Sequence, residues 1–435
     1  MNRWNALCLS VMLGSFALRS GVAGEPAETA ARGREPSRLA EDLPEAVTYA
    51  EHVAPILQAS CQPCHRPGQV GPFSLLGYEK AKGWAAMIEE VLREDRMPPW
   101  NADREFDGVF ANERRLGERD KELVLKWIAD GMPRGNPEAD PQPVKWPEGW
   151  TIGHPHAVVT VENKVEIGRD GVVETPLDER GWEVPREGVV EYQYFSAQTD
   201  FASDMWVRAI ETRPGVPDVV HHVLVWVDDP EDPGGWQEQD SFRSYFAVTV
   251  PGETPSVYPA GLAKRLPAGA KLIFQVHYTP NGKERFDKSS LAMIFSDEPP
   301  EREVYTDAVV NTRFRVPAGA DDVEVRALGR IERDIELLTL FPHMHTRGKD
   351  FRFVLRLPDG AERDLLRTRF DFNWQEAYAF AEPVLLPGGS ELHCVGHFDN
   401  SAANPNNPDP SVEVRWGDQT FDEMFIGYYD YIEAR

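Results

Sequence analysis

Apolar residues recur at helical spacing between Tyr49 and Ile128 and switch to alternate positions after Trp150. Val53, Ile56 and Leu57 form a first stripe, Trp84, Met87, Ile88, Val91 and Leu92 a second, and Leu123, Val124, Trp127 and Ile128 a third. These stripes predict a small all-α domain over residues 45–135. Residues 136–150 hold four prolines among polar residues and read as a Pro-rich linker. Beyond it, short runs such as VVEYQYFSA, MWVRAIE, VVHHVLVWV, KLIFQVHYT and FRFVLRLPDG are separated by Pro, Gly, Asp and Asn. That texture predicts antiparallel β-sandwich, jelly-roll-like folding. The acidic Pro-Pro step Asp297–Pro300 divides it into two sandwiches, residues 151–300 and 301–435. The expected fold class is therefore multidomain, a small all-α domain followed by two antiparallel β-sandwiches.

The first residues change the compartment expected for the chain. Arg3 precedes an apolar stretch, Ala6 to Leu18, too short to span a bilayer, which reads as a signal peptide over residues 1–24. Residues 25–44, acidic and Pro-containing, read as a flexible leader. No later stretch is long and apolar enough to cross a membrane, so a periplasmic or secreted protein is expected. The remaining ~410 residues, at ~150 per domain, suggest about three domains. A net charge of −26 argues against nucleic-acid binding. Of four cysteines, Cys8 leaves with the signal, Cys61 and Cys64 belong to one motif, and Cys394 is left alone. No intramolecular disulfide is expected.

That motif is Cys61-Gln-Pro-Cys64-His65. In an exported chain, two thiols flanking two residues and followed by histidine suit covalent capture of both haem vinyl groups, with His65 as proximal iron ligand. One covalent haem c is expected. A thioether is a common sixth ligand, and Met97 in RMPPW lies on a loop between the second and third stripes, with Met132 in GMP as competitor. A haem peroxidase would need an open iron position, which Met97 argues against. The order helix, CxxCH, loop, methionine, terminal helix resembles a class I cytochrome c over residues 45–135.

Several histidines suggest further metal chemistry. His221 and His222 are adjacent, and in a regular strand they diverge, so both reach one ion only if the strand bulges or ends there. His343 and His345 are two apart, which on a strand places them on one face, either as ligands or as a core pair. Met424 is a thioether ligand or a core residue beside Phe421, Phe425 and Ile426. In ELHCVGHFDN, alternation puts His393 and His397 on one face and Cys394 on the other, which fits a third metal site, an outer-shell role for His397, or ordinary hydrogen bonding. His154 and His156 flank a proline after the linker and read as a solvated loop.

Taken in order, these residues resemble the copper type II, ascorbate-dependent monooxygenases, the family of peptidylglycine and dopamine hydroxylases, over about residues 180–432. In that family each of two β-sandwich domains holds one copper. The first uses a His-His pair and a later histidine, matched here by His221, His222 and His277 of FQVHYTPNG. The second uses a His-x-His step and a methionine in an acidic-Glu-Met context, matched by His343, His345 and Met424 of FDEMFIGYY. Two imidazoles plus a thioether suit Cu(I), and three imidazoles hold either copper state.

The resemblance implies two coppers and a monooxygenase that hydroxylates a C–H bond of a small organic substrate with O2. Hydroxylation would occur at His343, His345 and Met424 with Tyr428 nearby, while the three-histidine copper stores the second electron. The haem would serve as electron donor, or as relay from ascorbate or a redox protein. A non-catalytic haem and copper electron-transfer protein is the alternative. Two departures bear on the substrate. The peptide-amidating members place arginine two residues before the His-x-His step and asparagine two after the methionine, where this chain has Phe341 and Ile426. Tyr428 is retained, and the family's disulfides are missing. These changes imply a substrate less anionic and more apolar than a peptide C-terminus.

Overall fold

In the computed structural model the described residues are 43–146, 149–168, 171–232, 236, 244–250 and 255–435. The expected signal peptide and nearly all of the leader lie outside them. Alternation after Trp150 builds two pairs of facing sheets. In Gly348–Arg356, Phe351, Phe353 and Leu355 are buried, while Arg352 pairs with Asp364 on the outer face at 2.6 Å. This is the pattern of a strand with one side in a core.

The first pair sets Ala157–Thr160, Ser290–Phe295, Met205–Arg213, Leu262–Leu266 and Arg302–Glu303, in that order, against a second sheet. That second sheet runs Gly171–Pro176, Asn163–Gly168, Gln193–Gln198, Lys271–Tyr278, Val220–Asp228, Ala247–Thr249. Val207, Val223, Val225, Leu272, Phe274 and Leu291 are among the residues filling the space between. The second pair faces Tyr305–Val310, Ile426–Glu433, Ile335–His343 and Tyr378–Leu386 with Val323–Arg330, Glu391–Phe398, Gly348–Arg356 and Glu362–Arg369. Leu337, Leu340, Phe353, Leu366, Leu392 and Phe425 lie in its core.

The fold class expected from the sequence needs correction. Among the described residues, strands take 39% and helical segments 12%, and no all-α cytochrome c domain is evident. The helical stripes yield only short pieces, namely a π-turn at Tyr49–Val53 and helices Ala54–Ser60, Tyr78–Gly83, Ala85–Arg93 and Glu118–Ala129. The physical reason lies in the segment between the last two helices. Trp100, Ala102, Phe106 and Phe110 are buried in the second sandwich's core, and Trp100 and Phe110 pack on Tyr378 with ring centroids 5.0 and 5.3 Å away.

Backbone bonds fix this arm to two sandwich strands: Asp103 N–H donates to the Arg367 carbonyl, Ala111 N–H to Ala379, and Ala381 N–H to Val109. Asn112 adds a bond from its side-chain amide to the Ala377 carbonyl at 2.6 Å and accepts from Ala379 N–H at 3.0 Å. The proline-rich segment after the last helix is also pinned, through Gln58 to the Gln142 carbonyl and Arg134 to Asp140. Residues 44–435 form one compact unit.

Because Trp100 belongs to the sandwich core, Trp100→Ala should destabilise the second sandwich itself, by roughly 3–5 kcal/mol. The check is urea unfolding followed by the strand signal in circular dichroism. A strand transition that stays put while only helical signal is lost would show that the arm is peripheral.

Candidate metal centres

The strand Val220–Asp228 lies antiparallel to Lys271–Tyr278, with His222 opposite His277 but Val220 opposite Tyr278. His221 is thus the extra residue of a β-bulge, which lets two neighbouring side chains turn to the same region. Donor atoms of His221, His222 and His277 all lie within 4.8 Å of one another. The Nδ1 atoms of His221 and His222 are 3.5 Å apart. Burial above all, with repulsion from His343, pushes His221 down to about 4; burial with repulsion from His221 pushes His277 to about 3, and burial with the neighbouring imidazoles holds His222 well below its ordinary range. All three rings are therefore neutral near pH 7, the form in which imidazole can bind a metal. His221 Nε2 and His277 Nδ1 are buried without a hydrogen-bond partner. Tyr192 packs against both His222 and His277 at 5.2 Å, and its hydroxyl is buried and unpartnered as well.

Strand Ile335–His343 ends at His343, so the alternation assumed for His343 and His345 does not govern them. His345 is placed instead by hydrogen bonds: its backbone N–H donates to Glu423 Oε2 at 2.9 Å, and Nδ1 donates to the Asp422 carbonyl at 3.3 Å. Nε2 is left buried and unpartnered. His343 Nδ1 lies 2.9 Å from Gln375 Oε1, and the Gln375 amide is oriented by its own donation to the Phe372 carbonyl at 3.2 Å. This leaves the lone pair of His343 on Nε2, the usual way an outer partner selects a ligand tautomer. The two rings stand edge to face, 5.4 Å apart. Burial pushes His343 down to about 4 and His345 well below its usual range.

Met424 is buried in a cluster with Phe341, Ile426 and Tyr428, packed by Tyr245, Val248 and Val310. The ring of Tyr428 lies 6.5 Å from that of His343. Met424 follows Glu423, whose carboxylate holds His345, so one turn carries the thioether and the anchor of the second imidazole.

The CQPCH turn brings Cys61, Cys64 and His65 together, with His65 N–H and Cys64 N–H both donating to the Cys61 carbonyl. Both cysteines are free thiols. His65 Nδ1 donates to the Phe73 carbonyl at 3.3 Å, leaving Nε2 for a ligand. Gly71 is required there, since a Cβ would sit 2.7 Å from the Cys64 carbonyl and 2.9 Å from His65 Nδ1. Val70, Leu76, Trp84, Met87 and Met97, all in this segment, are between 37% and 60% exposed. Phe73 stacks on Trp84 with ring centroids 3.9 Å apart and lies 4.6 Å from the His65 ring. Met132 has a positive φ of 61° and offers its carbonyl to Tyr78.

Other residues had no motif to point to them. Phe372, Gln375 and Glu376 lie in FNWQEA, which carries no recognisable spacing. Phe372 stacks on His221 with centroids 4.6 Å apart and stands edge-on to His345 at 6.2 Å. Glu376 pairs with Arg114 of the arm at 2.8 Å and accepts from Trp374 Nε1. Burial pushes its carboxyl up to about 7 against the pull of Arg114. Cys64 feels both Arg114 and Glu376 electrostatically, although burial is the main cause of its raised thiol.

Three of the other histidines make hydrogen bonds of their own. His397 Nδ1 meets Asp350 at 2.8 Å, His393 Nε2 meets Glu391 at 3.1 Å, and Cys394 is buried on the opposite face. His156 Nδ1 accepts from Phe295 N–H, and His154 is exposed.

No protein-family model matches the chain, and no curated protein sequence does. Among solved structures it is similar to the major capsid protein P2 of bacteriophage PM2, at 10% identity over 64% of this chain and 98% of that one, TM-score 0.27. It is also similar to the capsid of PBCV-1 virus (9%, 65% and 96%, TM-score 0.24) and to allantoicase (14%, 50% and 79%, TM-score 0.16). Likenesses of this size leave the chemistry to be argued from the site.

Glu376 supplies a pH test. Its carboxyl is raised from 4.5 to about 7 in the fold, so the unfolded chain ionises first and stability falls as pH rises between those values, by on the order of 3 kcal/mol. Glu376→Gln should shift the difference between the urea midpoints at the two ends of this pH window by that amount relative to the parent, the contributions of Glu423 and the buried histidines being common to both proteins. An unchanged pH dependence in the variant would assign the effect to other groups.

Proposed function

We propose that this protein is a copper-dependent monooxygenase that hydroxylates a C–H bond of a small organic substrate with O2, with a covalently held c-type haem as electron donor or relay. The observation that carries this reading is the set of buried ring nitrogens without partners, His221 Nε2, His277 Nδ1 and His345 Nε2. Leaving such atoms desolvated costs about 1–3 kcal/mol each, and a bound metal removes that cost. Neutral imidazoles and a neighbouring buried thioether, with no carboxylate among the donors, favour copper over harder cations.

Copper there supplies one-electron redox chemistry and dioxygen activation. The chain's own part is to hold and shield. Gln375 and the Asp422 carbonyl keep the Nδ1 protons of His343 and His345 in place. Phe341, Ile426 and Tyr428 surround Met424 with apolar surface that excludes water. With Phe341 where the peptide-amidating enzymes place an arginine that holds the substrate carboxylate, and Ile426 where they carry asparagine, an uncharged, apolar substrate fits best.

The residues of the CQPCH turn also fit a haem. Two free thiols, an imidazole with Nδ1 already engaged, and exposed apolar side chains between Val70 and Met97 support this part of the reading. The electrons would come from ascorbate or a redox protein, and the chain would act outside the cytoplasm. The other reading, an electron carrier without chemistry of its own, differs in one respect: it consumes no O2 with any reductant and substrate.

Protein matured with copper should contain two coppers per chain. X-ray absorption of the reduced form should show a Cu–S component that is lost in Met424→Ala while imidazole scattering persists. One copper, or a Cu–S component indifferent to Met424, would contradict the assignment.

Matured with haem, the chain should carry one, bound through Cys61 and Cys64 with His65 and Met97 as axial ligands. Met97→Ala should abolish the near-infrared band of methionine-ligated ferric haem, and a spectrum that keeps the band would move the ligand to Met132.

A further inference from the structure

The two histidine sets come from different sandwiches, yet the same aromatic ring touches both. Phe372 lies parallel to His221, at 12° and 4.6 Å, and nearly perpendicular to His345, at 82° and 6.2 Å. It is buried, and Gln375, three residues on, reaches His343 while donating back to the Phe372 carbonyl. A single short segment of the second sandwich therefore contacts His221 of one set and both histidines of the other.

A second residue closes the same space from the opposite sandwich. Tyr192 packs on His222 and His277, and its backbone N–H donates to Gln419 Oε1 at 3.3 Å, in the loop that leads to Glu423 and Met424. Its hydroxyl is buried and unpartnered. The electrostatics agree with this proximity: His343 depresses His221, and His343 and His345 both depress His222.

We propose that the two sets are facing halves of one dry cleft, with Phe372 as the positioning residue that sets their separation, so that two bound cupric ions interact magnetically across its ring. This rests on the reading of both sets as copper sites. It adds that one aromatic ring, touching a histidine of each set, lies between them. Planar stacking on His221 fixes that imidazole's orientation, and the edge contact stops His345 from swinging toward it. Shortening the side chain frees both movements. Conserving the ring preserves the spacing.

Copper alone is the probe. Full-length protein is titrated with Cu(II) and its electron paramagnetic resonance spectrum is compared with those of His277→Ala and His343→Ala, each of which keeps one intact set. The doubly loaded protein should show dipolar broadening and loss of intensity relative to the sum of the two single-site spectra. Phe372→Leu should bind two coppers with that broadening altered or lost, and Phe372→Tyr should restore it. Two coppers whose spectrum equals the sum, with Phe372→Leu indistinguishable from the parent, would overturn the shared cleft while leaving the two copper sites standing. One copper or none would overturn both.

Discussion

A carboxylate with no exposure to water holds the C-terminal half of the site in shape. Glu423 accepts backbone N–H bonds from His345 and Arg347 at 2.9 and 2.7 Å, and the Arg347 guanidinium, itself buried, lies 3.7 Å away. Arg347 in turn holds Asn400 Oδ1 and the Phe421 carbonyl. Three loops, those of His343–Gly348, Asn400 and Asp418–Met424, are thereby joined at one point. Burial pushes the carboxyl up to about 8, with the bonds from Arg347, His345 and Met424 opposing it. Breaking such a buried pair on one side typically costs about 3–5 kcal/mol. Without this anchor neither His345 nor Met424 has a reason to be where it is.

Other parts of the site depend on the same kind of arrangement, in which a ligand candidate is held by a residue far away in sequence. The bulge at His221 exists because Tyr278 slips by one position relative to Val220. His343 is oriented by Gln375, on a segment that also carries Phe372 and Glu376. Glu376 then ties that segment to Arg114 and, electrostatically, to the neighbourhood of Cys64. The three groups of candidate ligands thus border one short stretch, Phe372–Glu376.

Alternation in VLVWV and FRFVL made the strands legible, because period-two burial is written locally. The histidine pair, the HMH step and CQPCH were visible as residue types at known spacings. What held them was not. A bulge depends on the partner strand's register, which His221 and His222 do not encode, and the end of the strand at His343 reflects the Glu423 anchor. The helical stripes misled for a related reason. Each is amphipathic, but FDGVFANERR between them shows no period, and its aromatic residues find their core in strands Glu362–Arg369 and Tyr378–Leu386.

The docked arm has a kinetic side. Asn112 bonds residues 265 and 267 positions further along the chain, and its partners exist as a surface only after the second sandwich has paired its strands. Its last strand, Ile426–Glu433, sits between Tyr305–Val310 and Ile335–His343. Closing loops of that length is entropically costly, and topologies rich in distant contacts fold slowly. Assembly should therefore run from the sandwich outward, with the CQPCH segment locked in place last. Until then its two thiols are not yet held against the sandwich and are open to oxidants that would join them to each other.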